Sequence, residues 1–392
     1  MARYDVVIIG GGCIGSAIAY FLAAEPGYEG TVMVVERDPT YATASTPRAT
    51  GGIRQQFSTP ENVEIGLYGA QFFRELPERL AVDGESPDIG FKEHGYLLLA
   101  TEDALAVMRE NHARQVSLGA EIRWFDRAAL AARFPWLVVD DVVGAFFGAR
   151  NEGWYDPYGL LMAFRRKARA LGVTYVQDEA SGLVLAGGRV AGVVLSSGAR
   201  IEAGTVINAA GARDAARVAR WAGVLLPVEP RKRCAFLVKG PQPLPPSPLR
   251  FEPNGVWSRP EGQGLLCGAT PEPEHDSART DFDVDHYLFE DVIWPTLAGR
   301  SKVFEALKVE RSYAGHYDYN TLDQNAIIGR WPGFANFYVA TGYSGHGVMQ
   351  SPASGRAMME LVVHGGYRTL DLSRFGVERI LRGEPVLETG IY

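Results

Sequence analysis

The chain has 392 residues, beyond the size at which a single hydrophobic core keeps growing, so two domains are expected. Hydrophobic residues make up 46% and charged residues 22%, the balance of a globular protein, and 46 acids against 39 bases leave a net charge of −7, which argues against nucleic acid as a partner. No window supplies the roughly eighteen apolar residues of a membrane span, and no basic leader precedes the first apolar stretch, so a soluble cytoplasmic protein is expected.

The N-terminus carries the strongest signal. Asp5-Val6-Val7-Ile8-Ile9 runs into Gly10-Gly11-Gly12-Cys13-Ile14-Gly15, an apolar helical pattern follows, and Val32-Met33-Val34-Val35-Glu36 ends in an acid. Strand, glycine turn, helix and acid-tipped strand are the order of a dinucleotide-binding βαβ unit. Gly10 permits the turn, Gly12 lets a pyrophosphate approach the backbone, and Gly15 lets helix and strand pack closely. The helix start near Ile14 offers N–H groups to an anion, and Glu36 can accept hydrogen bonds from a ribose. The three cysteines, Cys13, Cys234 and Cys267, are far apart and lack metal spacing, so they read as buried thiols in a reducing compartment, with no metal site.

Thr43 to Arg54 is a Gly/Ser/Thr-rich loop, too long for an idle connection and suited to close contact with a ligand. Apolar spacing predicts a helix from Pro60 to Leu76 and another from Asp103 to Leu118, ended by Gly119. Strands are predicted at Gly95–Ala100 and Val142–Phe147. Asp156-Pro157 opens a helix running to Leu171-Gly172, whose basic run Arg165-Arg166-Lys167 reads as a solvated face.

From Val173 the chain reads as a β-meander: Val173–Val176, Gly182–Ala186, Val190–Leu195 and Arg200–Glu202, with turns at Gly187-Gly188 and Ser197-Gly198. Thr205 to Gly211 is a buried strand leading to a helix from about Asp214. Between Pro227 and Arg311 strand patterns flank a Pro-rich loop at Gly240–Pro248, with a helix near Asp285 to Leu297. Phe337–Gly342 is a strand, Tyr343–Gly347 a glycine loop, and Pro352–Val363 a helix. A second strand–Gly-loop–helix at the far end implies that the nucleotide domain is assembled from both termini.

Three separated blocks carry a resemblance: Gly10–Gly15 with Glu36, then Val206-Ile207-Asn208-Ala209-Ala210-Gly211, then Asp323–Gly329 with Gly342–Gly347. Together they resemble the FAD-dependent amine and amino-acid oxidoreductases of the D-amino-acid oxidase superfamily, the group of glycine oxidase, sarcosine oxidase, proline dehydrogenase β-subunits and dimethylglycine dehydrogenase. The resemblance implies a two-domain α/β protein. A Rossmann-like FAD-binding domain would comprise residues 1–80, 148–225 and 320–392, and a discontinuous antiparallel-sheet substrate domain residues 81–147 and 226–319.

It also implies site residues. FAD would meet Gly10, Gly12, Cys13, Ile14, Gly15, Glu36 and Arg37 at one end. Ser45, Thr46, Arg48, Gly51, Gly52, Ala210 and Gly211 would follow. Gly329, Gly342, Gly345, His346, Gly347, Val348 and Met349 would complete the set, the last five presenting backbone N–H groups to the flavin. Only one dinucleotide fingerprint is visible, because Gly187–Gly192 lacks the spacing, so electrons are expected from an organic substrate.

For substrate, the resemblance implies a small carboxylate-bearing amine, with Arg54 clamping the carboxylate and Trp257 and Tyr317 walling the site. His346 is a further candidate, either toward the flavin or in the loop. Where sarcosine oxidases carry two functional lysines this chain has Met349 and Leu266, and no cysteine or histidine tether is well placed. FAD is therefore expected to be non-covalent, and the acceptor to be oxygen, a quinone or a protein. The segment from Glu36 to Phe57 is also similar to a mitochondrial relative thought to help respiratory complex I assembly, which leaves a non-metabolic role open, as the carboxylate clamp leaves a 2-hydroxy acid open.

Overall fold

Val6, Val7, Ile8 and Ile9 are all buried, the mark of a central strand covered on both faces. In the computed structural model of the protein, which describes residues 2–389, the strand Ala2–Ile9 lies between two parallel neighbours. Val6 to Ile9 pair with Val32 to Val35, and Ala2 to Ile9 pair with Ile201 to Asn208. Alternate side chains enter different cores. Val6 and Ile8 pack with the helices Cys13–Ala24, Pro157–Ala170 and Gly347–Met359, while Val7 and Ile9 pack with Val218 and Ala219 on the other face. The crossing of the first and last of those helices is close: a Cβ on Gly355 would stand 2.8 Å from the Ala17 carbonyl carbon.

Phe337–Thr341 extends this sheet in parallel, and Ile327–Arg330 pairs antiparallel at its edge. The expected meander is corrected at both ends. Thr174–Gln177 leaves it and pairs in parallel with Met33–Glu36 at the opposite edge. Arg200–Glu202 is continuous with the strand that follows, so Arg200–Asn208 pairs antiparallel with Arg189–Leu195 near its start while running beside Ala2–Ile9.

The second sheet is also eight-stranded and mostly antiparallel. Its long members, Val228–Lys239 and Lys308–Asn320, pair from Val228 with Asn320 to Lys239 with Lys308. Tyr96–Ala100 joins it in parallel to Leu249–Phe251 and carries Gly144–Gly148 and Ile122–Asp126 beyond. A separate two-stranded ribbon pairs Gly52–Ile53 with Gly153–Trp154.

Three helices differ from expectation. One begins at Gly211 and not Asp214, and another begins at Gly347 and not Pro352. The stretch near Asp285 is a π turn, Leu288–Ile293, running into the short helix Trp294–Arg300. Arg165, Arg166 and Lys167 are not a bare solvated face: they bond the Pro39 carbonyl, the Glu85 carboxylate and the Ala81 carbonyl, tying their helix to two loops. Among the described residues no helix is long and apolar enough to cross a membrane. Cys13, Cys234 and Cys267 are free and buried, and burial pushes the Cys13 thiol up to about 12, so it stays protonated.

Candidate active site

A cavity of about 810 Å³ lies between the two sheets, entered by the C-terminal ends of the parallel strands and roofed by the antiparallel ones. At one end the three fingerprint glycines divide the work. Gly10 has φ +102°, and a Cβ there would overlap the Ala209 carbonyl oxygen; a Cβ on Gly15 would overlap the Gly10 carbonyl oxygen. Gly12 is different. Its φ is −61°, and an added Cβ would meet only Thr46 Oγ1 at 3.6 Å, so its missing side chain leaves open space at a helix N-terminus. The Cys13 N–H donates to Thr46 Oγ1 at 3.2 Å, which fixes the loop against that helix.

Glu36 Oε2 accepts from the Gly11 N–H at 2.8 Å and Oε1 from the Asp38 N–H at 2.9 Å. Burial raises its carboxyl above the usual value, opposed by those two bonds and by Arg37. Arg37 pairs with Asp214 at 2.8 Å on the cavity rim. Gly12, Cys13, Ile14, Glu36, Arg37, Ser45, Thr46, Gly51, Gly52, Ala210 and Gly211 all border the cavity. Gly15, Gly329 and Gly342 do not: Gly15 serves helix–strand contact, Gly329 faces Val377 and Gly376, and Gly342 donates its N–H to Asp318. Arg48 borders the cavity but spends its guanidinium on the Ala42 and Ala314 carbonyls, and Ser45 Oγ donates to the His316 carbonyl.

The open Gly12, the helix start behind it and the oriented Glu36 carboxylate fit the pyrophosphate and ribose of FAD. Glu36→Ala is expected to weaken FAD binding by about 1.5–3 kcal/mol with the fold intact; titration of apoprotein with FAD measures this, and an unchanged dissociation constant would take Glu36 off the ribose.

At the other end the two-stranded ribbon delivers Arg54, 2% exposed, onto the cavity wall. Its guanidinium carbon lies 4.5 Å from the Phe57 ring centroid, 5.5 Å from that of Tyr96 and 5.6 Å from that of Phe251. Arg54 Nη2 stands 3.4 Å from His346 Nε2. Burial first, and Arg54 next, push the His346 pKa down to about 3, so the imidazole is neutral. His346 is also the N-cap of the helix Gly347–Met359, whose first turn, Gly347, Val348 and Met349, borders the cavity.

Tyr317 packs on Gly345, where φ is +99° and a Cβ would overlap the phenol ring. Trp257 lies over Gly268. Both line the cavity.

Several residues at this end carry no sequence signal. Glu152 is buried beside the ribbon, accepting from the Gln55 N–H at 2.6 Å and Gln56 Nε2 at 2.7 Å, and burial raises it to about 7. Asp318 accepts from the Gly342 N–H at 2.8 Å and is raised by burial to about 6. Tyr96, Phe251 and Glu388 come from segments far apart in the chain, so only the fold reveals them as neighbours.

A family model described as FAD dependent oxidoreductase matches residues 5–361. The chain is 42% identical to the FAD-dependent oxidoreductase domain-containing protein 1 of Xenopus laevis, over 99% of this chain and 85% of that protein. Among solved structures it resembles L-proline dehydrogenase from P. horikoshii, with TM-score 0.87 and 26% identity over 98% of this chain and 100% of that one. Glycine oxidase from Geobacillus kaustophilus matches with TM-score 0.82 and 25% identity over 96% and 99%. The glycine cradle, the oriented acid and the full-length matches agree: the chain belongs to the DAO family of FAD-dependent oxidoreductases.

Proposed function

We propose that the protein oxidises the C–N bond of a small amino acid or N-methyl amino acid of glycine, sarcosine or proline type. The observation that carries this reading is Arg54, a buried cation enclosed by three aromatic rings at the end of the cavity away from the Gly12 cradle. Its planar fork can hold a carboxylate by two parallel N–H···O bonds, and Phe57, Tyr96 and Phe251 exclude water from that pair. Neutral His346 beside Arg54 adds no second positive charge.

FAD would be held without a covalent bond by the cradle at Gly12 and by Glu36, and would supply a two-electron acceptor. The Cα–H bond of the substrate breaks with its electron pair leaving as hydride, the nitrogen lone pair forms the C=N bond, and water later hydrolyses the imine to a carbonyl and a free amine. Arg54 and the rings fix the substrate by its carboxylate and so limit the motion of Cα. The reading requires one further partner, an electron acceptor that is oxygen, a quinone or a protein.

The test is an anaerobic screen. Amino acids, N-methyl amino acids and 2-hydroxy acids are mixed with the yellow protein, bleaching is followed, and products are identified. Bleaching by an amino or N-methyl amino acid is expected, with release of ammonia or methylamine from an open-chain substrate and formation of a cyclic imine or its ring-opened amino ketone from a proline-type one. Bleaching by hydroxy acids alone would reassign the reaction, and bleaching by none would favour an assembly role. Readmitting oxygen or a quinone to the reduced protein identifies the acceptor.

A further inference from the structure

Thr59 is the N-cap of the helix Pro60–Arg79, yet its own hydroxyl makes no capping bond. The cap comes from the far end of the chain. Glu388 Oε2 accepts from the Ser58 N–H at 2.6 Å, the Ser58 hydroxyl at 2.6 Å and the Thr59 N–H at 3.2 Å. Oε1 accepts from the Thr59 hydroxyl and from Asn62 Nδ2, the latter at 2.6 Å. A carboxylate at a helix N-terminus also meets the favourable end of the helix dipole. Burial opposes the Glu388 charge, but the bonds from Ser58, Thr59 and Asn62 outweigh it and hold the carboxyl below its usual value.

The segment that delivers Glu388 is itself anchored. The Val386 N–H donates to Asp323 at 3.0 Å, Asn325 Nδ2 donates to the Val386 carbonyl at 2.7 Å, and the Thr389 N–H donates to Ser58 Oγ at 2.9 Å. From Asn62 the network continues: Gln350 Nε2 donates to Asn62 Oδ1 at 2.9 Å, and the Gln350 N–H donates to the His346 carbonyl at 3.1 Å. Leu387 and Glu388 border the cavity that Arg54 and His346 line. One carboxylate therefore links the turn after Arg54 to the helix that starts at His346.

We propose that Glu388 is a positioning residue for substrate, locking the Phe57–Asn62 turn, and through it Arg54 and His346, from the C-terminal end of the chain. The proposal rests on Arg54 as the carboxylate clamp. Its alternative is that Glu388 only staples the end of the chain to the surface.

The test compares wild type with Glu388→Gln and Glu388→Ala, all loaded with FAD. In anaerobic flavin reduction the apparent dissociation constant for the amine substrate is expected to rise about tenfold in Glu388→Ala and less in Glu388→Gln, which keeps one acceptor oxygen. The FAD dissociation constant should stay within about twofold, since the bonds of Glu388 run to Ser58, Thr59 and Asn62 and not to the Gly12 backbone or Glu36. Amide exchange at Ser58 and Thr59 is expected to quicken about tenfold in Glu388→Ala. Unchanged substrate affinity in Glu388→Ala overturns the proposal, as does parallel loss of substrate and FAD binding, which would mean a general structural role. If no carboxylate-bearing amine reduces the wild type, the reading of Arg54 fails and takes the substrate role of Glu388 with it. If wild type is reduced and exchange at Ser58 and Thr59 does not change, the lock alone is refuted.

Discussion

Arg54→Ala is expected to lower kcat/KM for a carboxylate-bearing amine by about 2–5 kcal/mol, because the substrate carboxylate would enter a ring-walled pocket without a cation. Arg54→Lys should fall between, since an ammonium cannot reproduce two parallel N–H···O bonds. Four candidate replacements for Arg54 among the described residues are poor ones. His346 is neutral, Met349 is apolar, and Arg48 and Arg259 are committed, Arg48 to the Ala42 and Ala314 carbonyls and Arg259 to the Thr50 carbonyl and Glu261. FAD affinity should change less than substrate affinity in either variant, because the Gly12 backbone and the Glu36 carboxylate with its two N–H partners are left untouched. Flavin reduction rate against substrate concentration, measured anaerobically, gives the answer. Equal affinity in all three proteins would remove Arg54 from the site.

The second large effect separates two glycines three residues apart. Gly15→Ala would drive its Cβ into the Gly10 carbonyl oxygen, a backbone atom fixed by the turn, and is expected to destabilise the apoprotein by roughly 3 kcal/mol. Gly12→Ala meets only Thr46 Oγ1 at ordinary contact distance, on a backbone that any residue adopts, so apoprotein stability should change by less than about 0.5 kcal/mol. Its methyl group would still fill the space a pyrophosphate needs, and FAD affinity should drop at least about a hundredfold. Thermal melting of both apoproteins and FAD titration distinguish the cases. Wild-type FAD affinity in Gly12→Ala would mean that the cofactor does not approach this backbone.

What is legible in the sequence is what is local. The βαβ unit is written in contiguous residues, Gly15 answers a steric demand from the nearby Gly10 carbonyl, and Val6–Ile9 announces its central place by being apolar on both faces. Pairing across the chain was not legible. Thr174–Gln177 looks like any short strand before a hairpin, and its parallel partnership with Met33–Glu36 depends on a crossover through the whole intervening segment.

The start of the last long helix at Gly347 is not legible, because proline is favoured in a first turn and Pro352 therefore reads as the start. The structure accommodates Pro352 inside the helix, where it cannot donate to the Val348 carbonyl, and Ser351 Oγ donates there instead at 2.8 Å. At the candidate site the glycines and Arg54 stood out by residue type and spacing. Tyr96, Phe251, Glu152 and Glu388 did not, because single aromatics and acids gain meaning only from what they face.

The most direct test of the account is the anaerobic rate of flavin bleaching by an amino or N-methyl amino acid, compared with the same substrate deuterated at the carbon that loses hydride. The account predicts bleaching without oxygen, slowed several-fold by deuterium in wild type and nearly abolished in Arg54→Ala at the same substrate concentration. No bleaching by any carboxylate-bearing amine, or bleaching at equal rates in wild type and Arg54→Ala, would contradict it.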